Sequence, residues 1–224
     1  MRATYAVFLA CVVTTVARPQ PSPQAASPIS VVTFNYENDK LLPSHYRLVI
    51  RENGTGTYES RDGIATGAVA GQGQPFQQEI SVSTPLLQTI FSAAHQHKFF
   101  ALPCEANNGG KIAFQGKKTL AYEGPDGSGS CDFNYSKIKQ IQQVNDSLQS
   151  IASTLEAGHR LAVEHQHDRL SLDAELGTLE ESVAEGHSLE LQNIRPVLEE
   201  IASDPAVLNR ARQRAAILAA GGKH

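Results

Sequence analysis

The chain of 224 residues contains no tryptophan, and its only methionine is the first residue. Aromatic residues make up just 6% of it, which argues against a large surface that stacks sugars or nucleobases. The formal net charge is only −4, so the chain lacks the basic footprint of a nucleic-acid-binding protein and the polybasic patch that binds anionic lipid. We therefore expect no nucleic-acid partner.

Sequence signatures of catalysis are also missing. No Gly-x-Ser-x-Gly motif is present to display a serine nucleophile. The glycine-rich segment Gly67 to Gly73 lacks the Lys-Ser/Thr pair that completes a phosphate-binding loop. The acidic pairs Glu180-Glu181 and Glu199-Glu200 are typical of solvated helix faces. We expect no catalytic residue, no cofactor and no enzymatic activity.

The first 26 residues form the clearest pattern in the chain. Met1-Arg2 precedes an apolar or small-residue run from Ala3 to Ala17, and a Pro/Ser/Gln-rich segment follows. A basic start, an apolar stretch of about 15 residues and small residues at its end are typical of a secretory signal peptide. Because a membrane helix needs about 20 apolar residues, we expect secretion or periplasmic export, with no stable membrane insertion after the leader is removed.

The processing site within this segment stays open. Cleavage after Ala17 and cleavage at Ala25-Ala26 both fit, and the Pro-rich stretch then serves as a flexible linker. A lipoprotein is the alternative, because Leu9-Ala10-Cys11 loosely matches a lipobox, although the apolar run continues past Cys11.

Two cysteines remain once Cys11 is lost with the leader. The remaining cysteines, Cys104 and Cys131, are even in number. An even number of cysteines is expected where cysteines pair as disulfides in an oxidising compartment. These two cysteines lack the Cys-x-x-Cys spacing of redox or metal sites, so we predict a structural disulfide rather than either alternative. It would close a loop of about 27 residues, for which the chain-entropy treatment gives about 3 to 4 kcal/mol.

Residues 27–158 read as an α+β domain with an antiparallel sheet and packed helices, in the order β-β-β-β-α-β-β-α. Asn53-Gly54 between alternating runs predicts a hairpin, and a longer turn, Gly124 to Gly129, predicts a second. The predicted strands are Ser30–Tyr36, Tyr46–Arg51, Thr55–Ser60, Gln77–Val82, Thr119–Tyr122 and Cys131–Tyr135.

Two helices belong to this domain. Thr84 as the N-cap and Pro85 at the first helical position predict one that ends near His97. Ser136 as a cap predicts the other, in which apolar residues recur every three or four positions from Ile138 to Leu155 and Gly158 marks the end. That apolar stripe needs a partner surface, and the sheet is the natural one.

Residues 159–224 read as a mainly helical region. The predicted helices span Leu161–Leu172, Leu176–Val183, Leu189–Ala202 and a last segment that restarts at Asp204-Pro205 and ends at Gly221-Gly222.

Ile194 to Ala202, Asp204-Pro205 and Arg210 to Ala215 together resemble one HEAT-type helical hairpin. Because solenoids need at least about three repeats, one copy implies only a helix pair packed on its neighbours. The whole chain resembles uncharacterised exported bacterial proteins with a small α+β domain and a helical tail. That resemblance implies no activity and no site residues.

Histidines are the strongest candidates for metal chemistry: His159, His165, His167 and His187. On a helix, residues two positions apart point about 200° apart, so His165 and His167 cannot share an ion. His95 and His97 have the same spacing. Since zinc needs three or four converging ligands, we expect polar surface histidines and no metal.

A non-catalytic binding module with a protein partner is therefore the leading functional prediction, with partner contacts through an apolar groove in the helical half. The alternatives are a structural, self-associating envelope protein and a His-dependent metal-binding protein.

Overall fold

The computed structural model describes residues 29–61, 75–105 and 112–222. The predicted leader with Cys11, and the segment Gly67 to Gly73, lie outside them. The strands are β1 Val31–Glu37, β2 His45–Arg51, β3 Thr55–Arg61, β4 Phe76–Ser81, β5 Lys117–Gly124 and β6 Gly127–Phe133. The helices are α1 Thr84–Gln96, α2 Lys139–His167, α3 Leu172–Ala184, α4 Arg195–Ser203 and α5 Asn209–Ala219, with 3-10 turns at Lys98–Phe100 and Leu191–Asn193.

The six strands form one antiparallel sheet in the order β4-β3-β2-β1-β5-β6. The predicted α+β class and the predicted element order are confirmed. The hairpin between β2 and β3 is confirmed too: Gly54 adopts a φ of 88°, and the side-chain oxygen of Asn53 accepts a hydrogen bond of 3.0 Å from the Thr55 amide. Gly54 therefore supplies the left-handed conformation that this turn needs.

The second hairpin is tighter than predicted. Its strands continue to Gly124 and restart at Gly127, so the predicted turn from Gly124 to Gly129 is too long. The glycines serve close packing instead, because a Cβ at Gly129 would lie 2.8 Å from the backbone nitrogen of Ala101. A glycine inside a strand often marks such an approach of another backbone segment.

Helix α1 begins one residue differently from the prediction. Ser83, rather than Thr84, occupies the N-cap, with Pro85 in the first turn. Ser83 makes no capping hydrogen bond, because its hydroxyl donates to the carboxylate of Glu190 at 2.6 Å. A long-range contact has replaced the local cap.

Helix α2 is the largest departure from the prediction, because it runs for 29 residues. Gly158 does not end it, and the predicted helix Leu161–Leu172 is divided between α2 and α3. A Cβ at Gly158 would lie 2.3 Å from Cγ2 of Ile194, so this glycine lets α4 approach α2 closely. The start is also later than predicted, since Ile138 rather than Ser136 is the N-cap. The predicted division between residues 158 and 159 falls inside this helix.

The C-terminal helices are shorter than the sequence suggests. A 3-10 turn, Leu191–Asn193, replaces the start of the predicted helix Leu189–Ala202, and Pro196 lies in the first turn of α4. The last helix begins at Asn209, not at Pro205. Asp204 accepts a hydrogen bond of 2.9 Å from the Ala206 amide, which shapes the connection between α4 and α5 into a turn.

The buried apolar side chains form a single cluster that extends from Val32 on β1 to Leu218 on α5. The apolar stripe of α2 is buried in it, including Ile141, Leu148 and Leu155. Cys104 and Cys131 form a disulfide with a Cα–Cα distance of 5.8 Å, which fastens the segment after the first 3-10 turn to β6. Among the described helices, none has the length and apolar character needed to span a membrane.

Candidate functional site

A row of aromatic rings crosses the helix-facing side of the sheet at one end. Tyr36 and Tyr46 are paired across β1 and β2, and their rings stack with centroids 4.8 Å apart. Tyr46 to Tyr58 and Tyr58 to Phe76 are each 5.9 Å apart. His159 of α2 stacks on Phe76 at 4.4 Å, so the row connects four strands to the long helix.

Glu156 of α2 lies over this row. Its carboxylate accepts a hydrogen bond of 2.7 Å from the hydroxyl of Tyr58. Burial, and then the proximity of Glu156, raise the pKa of Tyr58 far above its usual value. Burial likewise raises the pKa of Tyr46, followed by the influence of Tyr36 and Glu156. Both phenols therefore stay protonated at neutral pH, and Tyr58 remains a donor to the carboxylate.

The loop between β1 and β2 completes a depression of about 240 Å³, which we call the tyrosine pocket. Its walls are the three tyrosines, the loop residues Leu41–Pro43, and the α2 face that carries Ala152, Glu156 and Arg160. Asn38 braces the loop, because its side-chain amide donates to the Tyr36 hydroxyl at 3.3 Å. Leu41 and Leu42 are each 52% exposed and form an apolar rim.

A second, wider depression of about 910 Å³ continues along the outer face of α2, and we call it the polar groove. It shares Gln149 and Ser153 with the tyrosine pocket. Its lining is dominated by amide and hydroxyl side chains, with Tyr135 at one end and His187 among its borders. The two depressions thus adjoin along α2, with an aromatic end and a polar remainder that also carries the charged side chains Lys137, Lys139 and Asp146.

The acidic and the basic side chain that line the tyrosine pocket, Glu156 and Arg160, differ in whether they have an ion-pair partner. Arg160 is held by Glu175 of α3, with Nε and Nη2 at 2.8 and 2.7 Å from Oε1. Among the described residues, no Lys, Arg or His side chain forms an ion pair with Glu156. Burial, and then the neighbouring Glu175, raise the pKa of Glu164, which lies about two turns beyond Glu156 along α2. Glu156 is therefore the uncompensated charge at the pocket.

A buried lysine lies behind the pocket. Lys118 is only 1% exposed, and its ammonium donates to the Asn134 carbonyl oxygen at 2.6 Å. It lies 6.0 Å from the centroid of the Tyr36 ring, and burial lowers its pKa. Tyr36 therefore already has a cationic neighbour, whereas Tyr46 and Tyr58 do not share it.

The four candidate histidines of the helical half do not converge. His159 stacks on Phe76, whereas His165 lies 2.9 Å from Asp204 in the α4–α5 connection. His187 lies 3.2 Å from Glu185, and His167 is exposed at the end of α2. Within residues 29–61, 75–105 and 112–222, no three His, Cys, Asp or Glu side chains are grouped to hold a metal ion.

His95 belongs to a different polar cluster. Its Nε2 lies 2.8 Å from Asp126, and the Tyr122 hydroxyl donates to the other oxygen of the same carboxylate at 2.5 Å. The hydrogen bond from Tyr122 is the main reason why the pKa of Asp126 is lowered. This cluster joins the end of α1 to the β5–β6 turn. The side-chain hydrogen bonds of His95 and Asp126 within the described parts of the chain join them to each other and to the Tyr122 phenol, and none of these bonds involves a serine or a cysteine.

In the helical half, where the sequence predicts an apolar groove, a depression of about 540 Å³ lies between α4 and α5. Alanines line most of it, flanked by Arg195 and Glu199. Small side chains without an aromatic residue offer a partner little contact area. The tyrosine pocket is therefore the stronger candidate for a binding site.

Sequence reasoning missed the tyrosine pocket because its parts are far apart in the chain. Tyr36, Tyr46 and Tyr58 lie on separate strands, and Glu156 is nearly 100 residues after Tyr58. One signal was available: once the Asn53-Gly54 hairpin is assumed, alternation places Tyr46 and Tyr58 on the same face of adjacent strands. Nothing local connects either residue to α2.

Comparison with known proteins adds no relative. No protein-family model matches the chain, and no curated protein is similar to it.

Proposed function

We propose that this protein is an exported, non-catalytic binding module that holds an extended segment of a protein partner against α2. The joined tyrosine pocket and polar groove carry this proposal. An aromatic, largely apolar recess with a few directed polar groups is the usual form of a recognition site. The amide and hydroxyl side chains of the groove suit the backbone of an extended peptide, which needs both donors and acceptors.

Export is the second part of the proposal. It is supported by the leader-like pattern of residues 1–26, which lie outside the described structure, and by the disulfide, which is typical of oxidising compartments. Intact mass of the protein from its own host tests it. We expect a chain without the leader, in which Cys104 and Cys131 react with an alkylating reagent only after reduction. An intact leader or freely reactive thiols would contradict export.

Site-specific photo-crosslinking tests the binding role. A photoreactive residue at Ser153, where the pocket meets the groove, is expected to capture one partner in the native host. Two matched controls are available: Thr57, on the sheet face opposite the helices, and Glu200, on the outer side of α4. Both should give no product.

The alternatives give different products in the same experiment. Capture of a second copy of this chain, with a dimeric mass in solution, would favour the self-associating structural role. Equal labelling at all three positions would contradict a specific groove. Stoichiometric metal in the purified protein would instead favour the His-dependent metal-binding alternative.

A further inference from the structure

The tyrosine pocket has a chemistry of its own. We propose that it binds an organic cation, an ammonium or guanidinium group on a short apolar chain, with the charge beside Glu156 and the chain between Tyr46 and the Leu41–Leu42 rim. This inference deepens the proposed function, because a lysine or arginine side chain of the partner segment would be one source of that cation. A free small amine would be the other source.

The charge of the pocket favours a cation. Tyr58 uses only one oxygen of Glu156, and that carboxylate has no ion-pair partner among the described residues, whereas Arg160 is satisfied by Glu175. Glu156, Arg160 and Glu175 together leave one negative charge on the helix side of the pocket, whereas the buried Lys118 lies on its Tyr36 side. A carboxylate that is partly removed from water attracts a cation more strongly than an exposed one does.

The aromatic walls favour the same ligand. A cation within about 6 Å of a tyrosine ring centroid is attracted by the electron-rich face of the ring. Tyr46 is half-buried at the surface of the pocket, between Tyr36 and Tyr58. An anion would meet the Glu156 charge, which would repel it.

The size of the pocket limits the ligand. Its volume of about 240 Å³ is below the range of roughly 300 to 1,000 Å³ for sites of drug-sized ligands. One side chain or one small amine fits this space better than a larger molecule does. The apolar rim of Leu41 and Leu42, each 52% exposed, would cover the methylene groups.

Binding is measured by NMR on protein labelled with ¹³C in its tyrosine rings, with n-butylammonium as the probe and n-butanol as its neutral counterpart. We expect the Tyr46 and Tyr58 signals to shift and the cation to bind at least tenfold more tightly than the alcohol. Glu156→Gln keeps an acceptor for the Tyr58 hydroxyl and should remove this preference. Glu200→Gln, which removes the same charge from α4, should leave it unchanged.

A second pair of variants guards against a folding defect in Glu156→Gln. Ser153→Lys places an ammonium one turn from Glu156, where it should occupy the carboxylate and block the probe. Ser147→Lys adds the same group in the polar groove, away from the pocket, and should not block it. Equal binding of the neutral and cationic probes, or unchanged binding in both Glu156→Gln and Ser153→Lys, would overturn the inference.

The source of the cation is distinguished by a short peptide with one central lysine and its acetyl-lysine counterpart. If the lysine peptide binds more tightly than n-butylammonium, a partner side chain supplies the cation. If only the free amine binds, the cation inference stands and the proposed protein partner is wrong. Crosslinking at Ser153 without any preference for cations would leave the binding module standing and refute this inference alone.

Discussion

Gly158 occupies a position in α2 where a side chain has no room. A Cβ there would lie 2.3 Å from Cγ2 and 2.9 Å from Cβ of Ile194, which is on the branched, stiff part of that side chain. We expect Gly158→Ala to lower the free energy of unfolding by about 1 to 3 kcal/mol, the usual effect of overpacking a core. Urea unfolding measures it.

The control for this prediction is Gly177→Ala in α3. There the nearest atom to a new Cβ is Nη1 of Arg214, at 3.3 Å. This is the far end of a long side chain, which also pairs with Asp173 and Glu180, and it has to shift only slightly, so the ordinary helix preference for alanine should prevail. We expect an increase of roughly 0.5 to 1 kcal/mol. Equal changes in both variants would mean that Ile194 does not limit the space at Gly158.

Asp173 makes the docking of α3 on α5 sensitive to acid. It pairs with Arg210 and with Arg214, and the hydrogen bond from Arg210 is the main reason why its pKa is lowered in the folded chain. Between that lowered pKa and the usual value of 3.8, the unfolded chain binds more protons than the folded one. Stability from this group is therefore present above pH 3.8 and is lost as the pH falls through the folded pKa.

We expect Asp173→Asn to flatten the decline of the unfolding free energy that sets in as the pH falls below 3.8. Asp39→Asn removes the same charge from a loop position whose side chain is 91% exposed and lies 3.8 Å from His45, where solvent screens the interaction, and it serves as the control. Urea unfolding at a series of pH values measures both. The same acid slope in Asp173→Asn and in the parent protein would show that this ion pair does not govern acid stability.

At the scale of elements, the side chain of Asn193 hydrogen-bonds to the edge strand β4 at Ser81. The Ser81 amide donates to its side-chain oxygen at 2.8 Å, and its amide group donates to the Ser81 carbonyl at 3.0 Å. At Ser81 this side chain thus makes the two backbone hydrogen bonds that a further strand would make there. Exposed strand edges invite pairing with other chains, so the 3-10 turn Leu191–Asn193 has a protective role.

Asn193→Ala removes the two hydrogen bonds to the Ser81 backbone and those to the Ser81 hydroxyl and the Glu190 carbonyl oxygen. We expect it to destabilise the protein by about 1 to 2 kcal/mol and to speed hydrogen exchange at the Ser81 amide. NMR-detected exchange measures the second effect. The Ile80 amide, on the neighbouring residue, is the internal reference. Unchanged exchange at Ser81 would show that the edge is protected by something other than Asn193.

At the scale of the whole molecule, the helical residues from position 158 onward pack against the sheet and against one another. Gly158 packs on Ile194, His159 on Phe76, and Asn193 on Ser81. The buried cluster also includes residues of α3, α4 and α5. A sheet with α2 cut short would therefore expose apolar surface that the tail now covers.

Truncation after residue 158 tests whether the sheet is an independent domain. We expect the shortened chain to unfold without a sharp cooperative transition and to bind a hydrophobic dye, because its core is incomplete. The full chain should show one transition under the same conditions. A sharp transition in the truncated chain would instead support the sequence-based division into residues 27–158 and 159–224.

The sequence by itself determined the α+β class, the element order and the tight turn at Asn53-Gly54. These depend on short-range physics: alternation along a strand, helical spacing of apolar residues and the left-handed conformation that glycine adopts at low cost. The helical stripe of α2 was readable for the same reason, although its true length was not.

The tertiary structure alone decided what Gly158 does and where the tyrosine pocket lies. A glycine after an apolar helix is a stop signal locally, and only the arrival of Ile194 makes it a packing site. The pocket required β1, β2, β3 and the middle of α2 to meet. Glu156 and Tyr58 are separated by 98 positions, and no periodicity encodes a contact over that distance, because long-range packing and not local conformational preference brings the two side chains together.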